Sequence, residues 1–264
     1  MDEPAVKLAI KENVGIIRLN RPQVYNAMNN QMSRELIEAL EETGKNPEVR
    51  AVILTGEGKA FCSGQDLNDR TVVQEQEEPL SLGESVRTRY NPMILAIAEM
   101  KKPVVAAVNG VAAGAGCSIA LACDFRIITP GTRFIEAFAR IGLTLDSGSS
   151  YFLPRLVGLG KALEIAMTGR EVGAEEALQI GLANRIVEAD RLQEEAFAFA
   201  RNLAKGPTAA LGLIRQSVYK GMESTLSEAL ENEANAQETA GKTRDFREGV
   251  QAFIEKRKPN FRGK

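Results

Sequence analysis

The stretch Asn109–Asp124, NGVAAGAGCSIALACD, decides how the rest of the chain is read. An apolar run from Pro103 to Val108 stops at Asn109-Gly110. After Val111 come Ala112, Ala113, Gly114, Ala115 and Gly116, all small, and Cys117 to Ala122 then reads as a short buried helix. Strand, glycine-rich turn and helix start can aim free backbone N–H groups at an anion or a developing oxyanion. The same residues also let a helix pack tightly against a sheet, so two readings stand at this point.

Working outward, Val6 to Ile10 and Val14 to Leu19 alternate around Lys11-Glu12-Asn13, which reads as a β-hairpin. Arg21-Pro22 breaks that pattern, and Asn29 or Asn30 can cap a helix with Met32, Leu36 and Leu40 on one face. Ala51 to Leu54 is a short apolar strand, followed by a glycine-opened loop and AFCSGQDL, Ala60 to Leu67. Val72 to Ser85 is acidic and irregular and reads as a mobile loop, whereas Val86 to Met100 reads as helical despite Asn91-Pro92. Asp124 to Ile128 and Arg133 to Ala137 are two more strands across a Pro130-Gly131 turn. This alternation predicts an α/β core with largely parallel sheets.

Beyond Tyr151 helical patterns dominate, and only Ala183 to Val187 reads as extended. In the last helix Phe246, Val250, Phe253 and Ile254 fall at helical spacing, with Thr243 as cap and Pro259 as stop. Residues 1–200 are thus expected to form the α/β core and 201–264 a helical region, which either contacts other subunits, as a trimerisation region would, or folds back on its own core.

Composition narrows the function. A chain of 264 residues with 44% hydrophobic content can bury a substantial core, and a net charge of −2 offers no footprint for nucleic acid. No apolar run approaches the ~20 residues of a membrane span, and Met1 to Lys7 has no signal-peptide pattern. The expectation is a soluble cytoplasmic protein without a membrane partner. Cys62, Cys117 and Cys123 lie in apolar or small-residue segments and read as reduced, packed residues. The chain has no histidine, which removes Ser-His-Asp triads and nearly every catalytic zinc site, so no metal is expected. Acid–base work must fall to Asp, Glu, Lys, Tyr or Cys.

Taken together, RPQVYNAMN, AFCSGQDL, KKPVVAAVNGVAAGAGCSIALACD, IGLTLDSGSS, MTGREVGAEEALQIGLANRIV and FIEKRKPNF resemble the crotonase, or enoyl-CoA hydratase/isomerase, superfamily over essentially the whole chain. The resemblance implies repeated ββα units, trimers or dimers of trimers, and coenzyme A thioesters as substrates, with no further cofactor. It also implies two backbone N–H groups that bind the thioester carbonyl oxygen, at Gln65 and Ala115. On that reading the small-residue turn is an oxyanion turn, and a helix beginning at Ala115 adds its positive end.

The superfamily's hydratases use two glutamates to hold a water; the matching positions here are Ser118 and Phe138, so both carboxylates are missing. Asp146, in GLTLDSGSS, resembles the aspartate that the superfamily's dienoyl-CoA isomerases, ring-opening isomerases of phenylacetate breakdown and 4-chlorobenzoyl-CoA dehalogenases use; the dehalogenase chemistry also implies a histidine and a tryptophan, and this chain has neither. The alternative is that Asp146 caps a helix starting near Ser149. A single carboxylate beside an oxyanion hole can take a proton from one carbon and return it elsewhere, and Phe138 would raise its basicity and exclude water. Glu136 is a second possible base that strand periodicity puts on the same side as Phe138, but the resemblance gives it no role.

For the coenzyme A moiety the resemblance implicates Val24, Tyr25 and Ala27, the segment Ala60, Ser63, Gly64, Asp66 and Leu67, and Phe253 and Lys256, the last two within one subunit or across to another. The acyl pocket is expected between Leu67 and Ser85 and near Tyr90. Three functions follow: an acyl-CoA isomerase using Asp146, most like the ring-epoxide isomerases of the phenylacetate pathway; an enoyl-CoA hydratase-like enzyme with an unorthodox site; or a crotonase-fold protein that binds acyl-CoA without turnover.

Overall fold

The computed structural model describes residues 3–68 and 81–264. The hairpin β1 (Val6–Lys11) and β2 (Val14–Leu19) pairs antiparallel, and the helix Asn30–Lys45 follows, with the Asn29 side chain accepting from the Met32 N–H. Met32, Leu36 and Leu40 are its buried stripe. The remaining strands are β3 (Ala51–Gly56), β4 (Ala60–Cys62), β5 (Val104–Val108), β6 (Val111–Ala113), β7 (Phe125–Ile128), β8 (Arg133–Ile135), β9 (Glu171–Gly173) and β10 (Arg185–Ile186).

They form two sheets, one ordered β1-β2-β3-β5-β7-β10 and the other β4-β6-β8-β9. Each of the pairs β3/β4, β5/β6 and β7/β8 sends its first strand to the larger sheet and its second to the smaller. The two strands expected across Pro130-Gly131 are therefore consecutive in the chain and lie in different sheets. The second of them ends at Ile135, two residues earlier than its apolar pattern suggests.

The middle strands of the large sheet pair in parallel and are buried on both faces. Val52, Leu54, Val104, Ala106 and Val108 face the main core, while Ala51, Ile53, Val105 and Ala107 face the helix Leu192–Ala204. That helix presents Leu192, Ala196, Ala200 and Ala204, a stripe of small residues that lets it lie close to the sheet. Burial on both faces is why these strands read as unbroken apolar runs instead of alternating ones.

Of the stretch expected to be irregular, residues 72–80 lie outside the described residues; Leu82–Ser85 is a helical turn that runs through Val86–Tyr90 into the helix Asn91–Ala98. β9 lies in a segment read as a connection between helices; its extended form comes from antiparallel pairing with β8. The last third is helical, over Leu192–Ala204, Thr208–Gly221, Leu226–Gly241 and Arg244–Ile254. Buried Arg215 ties the second of these to the core through Asp124 and the carbonyls of Ile97 and Met100. No helix among the described residues is long and apolar enough to cross a membrane.

Candidate active site

β6 delivers the chain to Gly114, and the helix Ala115–Ala122 begins at once, all eight residues buried. The Gly114 N–H donates to the Ile135 carbonyl, and the Ser118 N–H closes the first helical turn on the Gly114 carbonyl. The Ala115 N–H has no acceptor among the described residues. At the other end of this helix the guanidinium of fully buried Arg126 donates to the carbonyl of Cys123 at 2.6 Å and reaches those of Ala120 and Leu121. The Arg126 cation complements the negative C-terminal end of the helix dipole, and the open N–H at the N-terminus belongs to its positive end.

Gln65 is held by its neighbours. The Met28 N–H donates to the Gly64 carbonyl at 2.7 Å, the Asp66 N–H to the Met28 carbonyl at 3.0 Å, and the Ser63 N–H to the Tyr25 carbonyl at 3.0 Å. Arg21 bonds both the Ala27 carbonyl and the Asp66 carboxylate, at 2.6 and 2.9 Å, and so joins the Arg21–Ala27 turn to this loop. The Gln65 N–H, like that of Ala115, has no acceptor among the described residues. Two glycines bring these turns together. A Cβ on Gly116 would sit 2.2 Å from the Cys62 carbonyl oxygen, and one on Gly64, whose φ is +95°, 2.8 Å from that of Ala113.

Gln65, Ala115, Phe138 and Asp146 all line one cavity of about 230 Å³, with Ser63, Gly64, Leu67 and Tyr90. A second hollow of about 470 Å³ shares Gln65, Tyr90, Leu143 and Asp146 and extends toward Leu82, Arg87 and Asn91. Asp146 does not cap the following helix. Gly148 is the N-cap of Ser149–Val157 with no side-chain cap, and the Asp146 carboxylate accepts from the Ser147 hydroxyl at 2.8 Å. One cavity is thus lined by Gln65 and Ala115, whose N–H groups have no acceptor among the described residues, by Asp146 and by the Phe138 ring.

The other sequence-derived residues are spread more widely. Val24, Tyr25 and Ala27 form the turn that holds Ser63, while Ala60 is buried in β4 with its carbonyl accepting from Asn26 and Asn109. Phe253, 85% exposed, and Lys256 lie at the end of the C-terminal helix and do not line the cavity within one chain. The expected pairing of Glu136 with Phe138 on one side does not occur. With β8 ending at Ile135, Phe138 belongs to a 3₁₀ turn, Ala137–Ile141, and lines the cavity, whereas Glu136 turns into the core.

Glu136 is the residue that sequence reasoning leaves without a role. It is completely buried, and its Oε1 lies 2.8 Å from the Ser149 hydroxyl, which lies 2.7 Å from the Ser118 hydroxyl. Burial pushes the Glu136 carboxyl up to about 7, the Asp146 charge adding to the effect while bonds from Ser149 and Cys117 oppose it. The available signal is a glutamate inside the apolar run FIEAF, three positions beyond a strand start.

The chain is 41% identical to 1,2-epoxyphenylacetyl-CoA isomerase of Escherichia coli K12, over 97% of each chain. It is 42% identical over all of both chains to a Rhodobacter capsulatus protein named a probable enoyl-CoA hydratase. Among solved structures, an enoyl-CoA hydratase/isomerase homologue from Mycobacterium abscessus superposes with a TM-score of 0.94 at 38% identity, over 98% of this chain and 100% of that one. The enoyl-CoA hydratase of Mycobacterium smegmatis gives 0.89 at 32% identity, over 98% and 99%. The enoyl-CoA hydratase/isomerase family model matches residues 9–264, and the chain belongs to that family.

Proposed function

We propose that this chain is an acyl-CoA isomerase in which Gln65 and Ala115 hold the thioester oxygen and Asp146 moves the proton. For a 3-enoyl thioester, Asp146 takes a proton from the carbon beside the carbonyl, and the electron pair delocalises onto the carbonyl oxygen. The two N–H groups stabilise that charge; in related oxyanion holes one donor is worth about 3 kcal/mol. Asp146 then returns the proton two carbons away, so the double bond moves and the composition is unchanged. The E. coli relative is named for a ring-epoxide isomerisation, which also conserves every atom, and this chain is proposed to act on the same class of thioester.

The observation that carries the reading is the placement of Asp146 in one cavity with Gln65 and Ala115. The two positions used for water activation in hydratases hold Ser118, bonded inside the core, and Phe138. The thioester is the substrate, and no added cofactor is required. Exposed Leu226, Leu230, Phe246, Val250, Phe253 and Ile254 support a homotrimer or dimer of trimers, in which Phe253 and Lys256 reach a neighbour's coenzyme A. Hydration is the second reading, favoured by the name of the R. capsulatus relative.

The test is mass spectrometry of 3-enoyl, 2,4-dienoyl and epoxyphenylacetyl thioesters incubated in deuterated water with the protein and with Asp146→Asn. Isomerised product or deuterium uptake, lost in the variant, is the expected result. Gain of one water would establish hydration instead. Tight binding without turnover by either protein would make the chain an acyl-CoA-binding homologue.

A further inference from the structure

Glu136 has no place in the chemistry above, yet it stands behind both halves of the site. From its Oε1 a line of oxygens runs through Ser149 Oγ at 2.8 Å and Ser118 Oγ at 2.7 Å. It ends on two carbonyls, those of Asp146 at 3.3 Å and Gly114 at 3.2 Å. One belongs to the residue whose carboxylate lines the cavity, and the other immediately precedes the Ala115 donor.

Counting hydrogens fixes what this line requires. Three links must be filled, from Glu136 to Ser149, from Ser149 to Ser118, and from Ser118 to a carbonyl. The two serine hydroxyls supply only two hydrogens. A third comes from Glu136 as the neutral acid, and the line then donates in one direction out to a carbonyl. With Glu136 ionised, Ser149 turns to the carboxylate, Ser118 turns to Ser149, and the carbonyl that Ser118 served keeps only its backbone N–H partner, Ser149 for Asp146 or Ser118 for Gly114.

We propose that Glu136 is a positioning residue: as the neutral acid it donates through Ser149 and Ser118 and so fixes the Asp146 loop against the turn that carries Ala115. This rests on the reading of Asp146 and Ala115 given above. Its surroundings favour the neutral form. The side chain is completely buried, Oε2 has no conventional hydrogen bond, and no Lys or Arg pairs with it among the described residues. The titratable groups that face it are Cys117, from the helix Ala115–Ala122, and Asp146, from the loop before Ser149. The Cys117 thiol is kept protonated by burial and by Glu136, against an opposing effect of Arg126. A carboxyl pushed up to about 7 stays largely neutral in mildly acidic solution and ionises as the pH rises through about 7.

The experiment compares kcat and KM for isomerisation between about pH 6 and 9 in the wild type, Glu136→Gln and Ser149→Ala. In the wild type kcat falls about tenfold on the alkaline side with KM nearly constant, because the misplacement is a fraction of that which costs ~100-fold at 1 Å. Glu136→Gln, neutral and able to donate at every pH, keeps kcat within about threefold and loses the alkaline fall. Ser149→Ala breaks the line, so kcat is low and flat throughout. An alkaline fall that persists in Glu136→Gln overturns the proposal. If no thioester is turned over, the amide resonances of Ala115 and Ser147 decide separately. Movement near neutral pH in the wild type and not in Glu136→Gln supports the linkage, and static resonances refute it.

Discussion

Adding one methyl group at Gly116 should disable the site while leaving the fold in place. In Gly116→Ala the new Cβ would lie 2.2 Å from the Cys62 carbonyl oxygen and 2.7 Å from Cys62 Cβ, against an ordinary contact of at least 3.4 Å. The obstacle is backbone, so no rotamer change relieves it. The helix start and the loop after β4 must part by about 1 Å to restore van der Waals distance. Those two segments carry the N–H groups of Ala115 and Gln65, so the separation opens the pair of donors. Loss of one donor's alignment costs about 3 kcal/mol, or roughly 100-fold in kcat, whereas overpacking costs about 1–3 kcal/mol of stability. The assay is steady-state isomerisation of the thioester found active, with urea unfolding alongside. Gly160→Ala, exposed in the helix Leu159–Thr168 with nothing within 4 Å of its Cβ, is the control and should leave kcat unchanged while raising stability by up to about 1 kcal/mol. A folded Gly116→Ala protein with kcat within threefold of wild type would refute the placement of the oxyanion site.

Other consequences are measurable. The Glu136 carboxyl binds its proton more tightly in the folded protein than at its ordinary value of 4.5, so the native state loses stability as pH rises from 4.5 to about 7. At ~1.4 kcal/mol per pH unit the loss is about 3 kcal/mol, and urea unfolding at pH 5 and 8 should show that slope vanish in Glu136→Gln. Arg126→Met strips the carbonyls of Cys123 and Leu182 of their 2.6 Å donors and should lower the unfolding free energy by about 3 kcal/mol. Arg21→Met frees Asp66 and the Ala27 carbonyl, loosening the loop that carries Gln65; kcat should fall about tenfold, with unfolding free energy shifted by ~1 kcal/mol. Unchanged turnover in that variant would mean that the backbone bonds of Gly64 and Asp66 position Gln65 unaided.

Much of this protein is local and therefore readable along the chain. Asn29 caps its helix through a bond three residues away, and Leu36 and Leu40 follow Met32 at helical spacing. The run from Val104 to Val108 declares a strand buried on both faces, and the small residues after it mark the turn into a helix. The residues brought to one cavity, Gln65, Ala115, Phe138 and Asp146, are found by resemblance to a family, because their conjunction spans more than eighty positions.

What the sequence did not determine depends on partners far away in the chain. β9 is extended because β8 lies beside it, and its three residues carry no pattern of their own. Glu136 and Phe138 part company because the sheet releases the chain at Ile135, so a period of two no longer applies. The burial of Glu136, and with it the raised affinity for a proton, arises only when Cys117 and Ser149 close over it from two other helices. Periodicity and capping report interactions within a few residues, and so the sequence by itself determined most of the elements and their order, though not the short strands β6 and β9. Desolvation and the linking of hydroxyl groups are set by whatever the tertiary structure places within about 3 Å, and that only the folded chain decides.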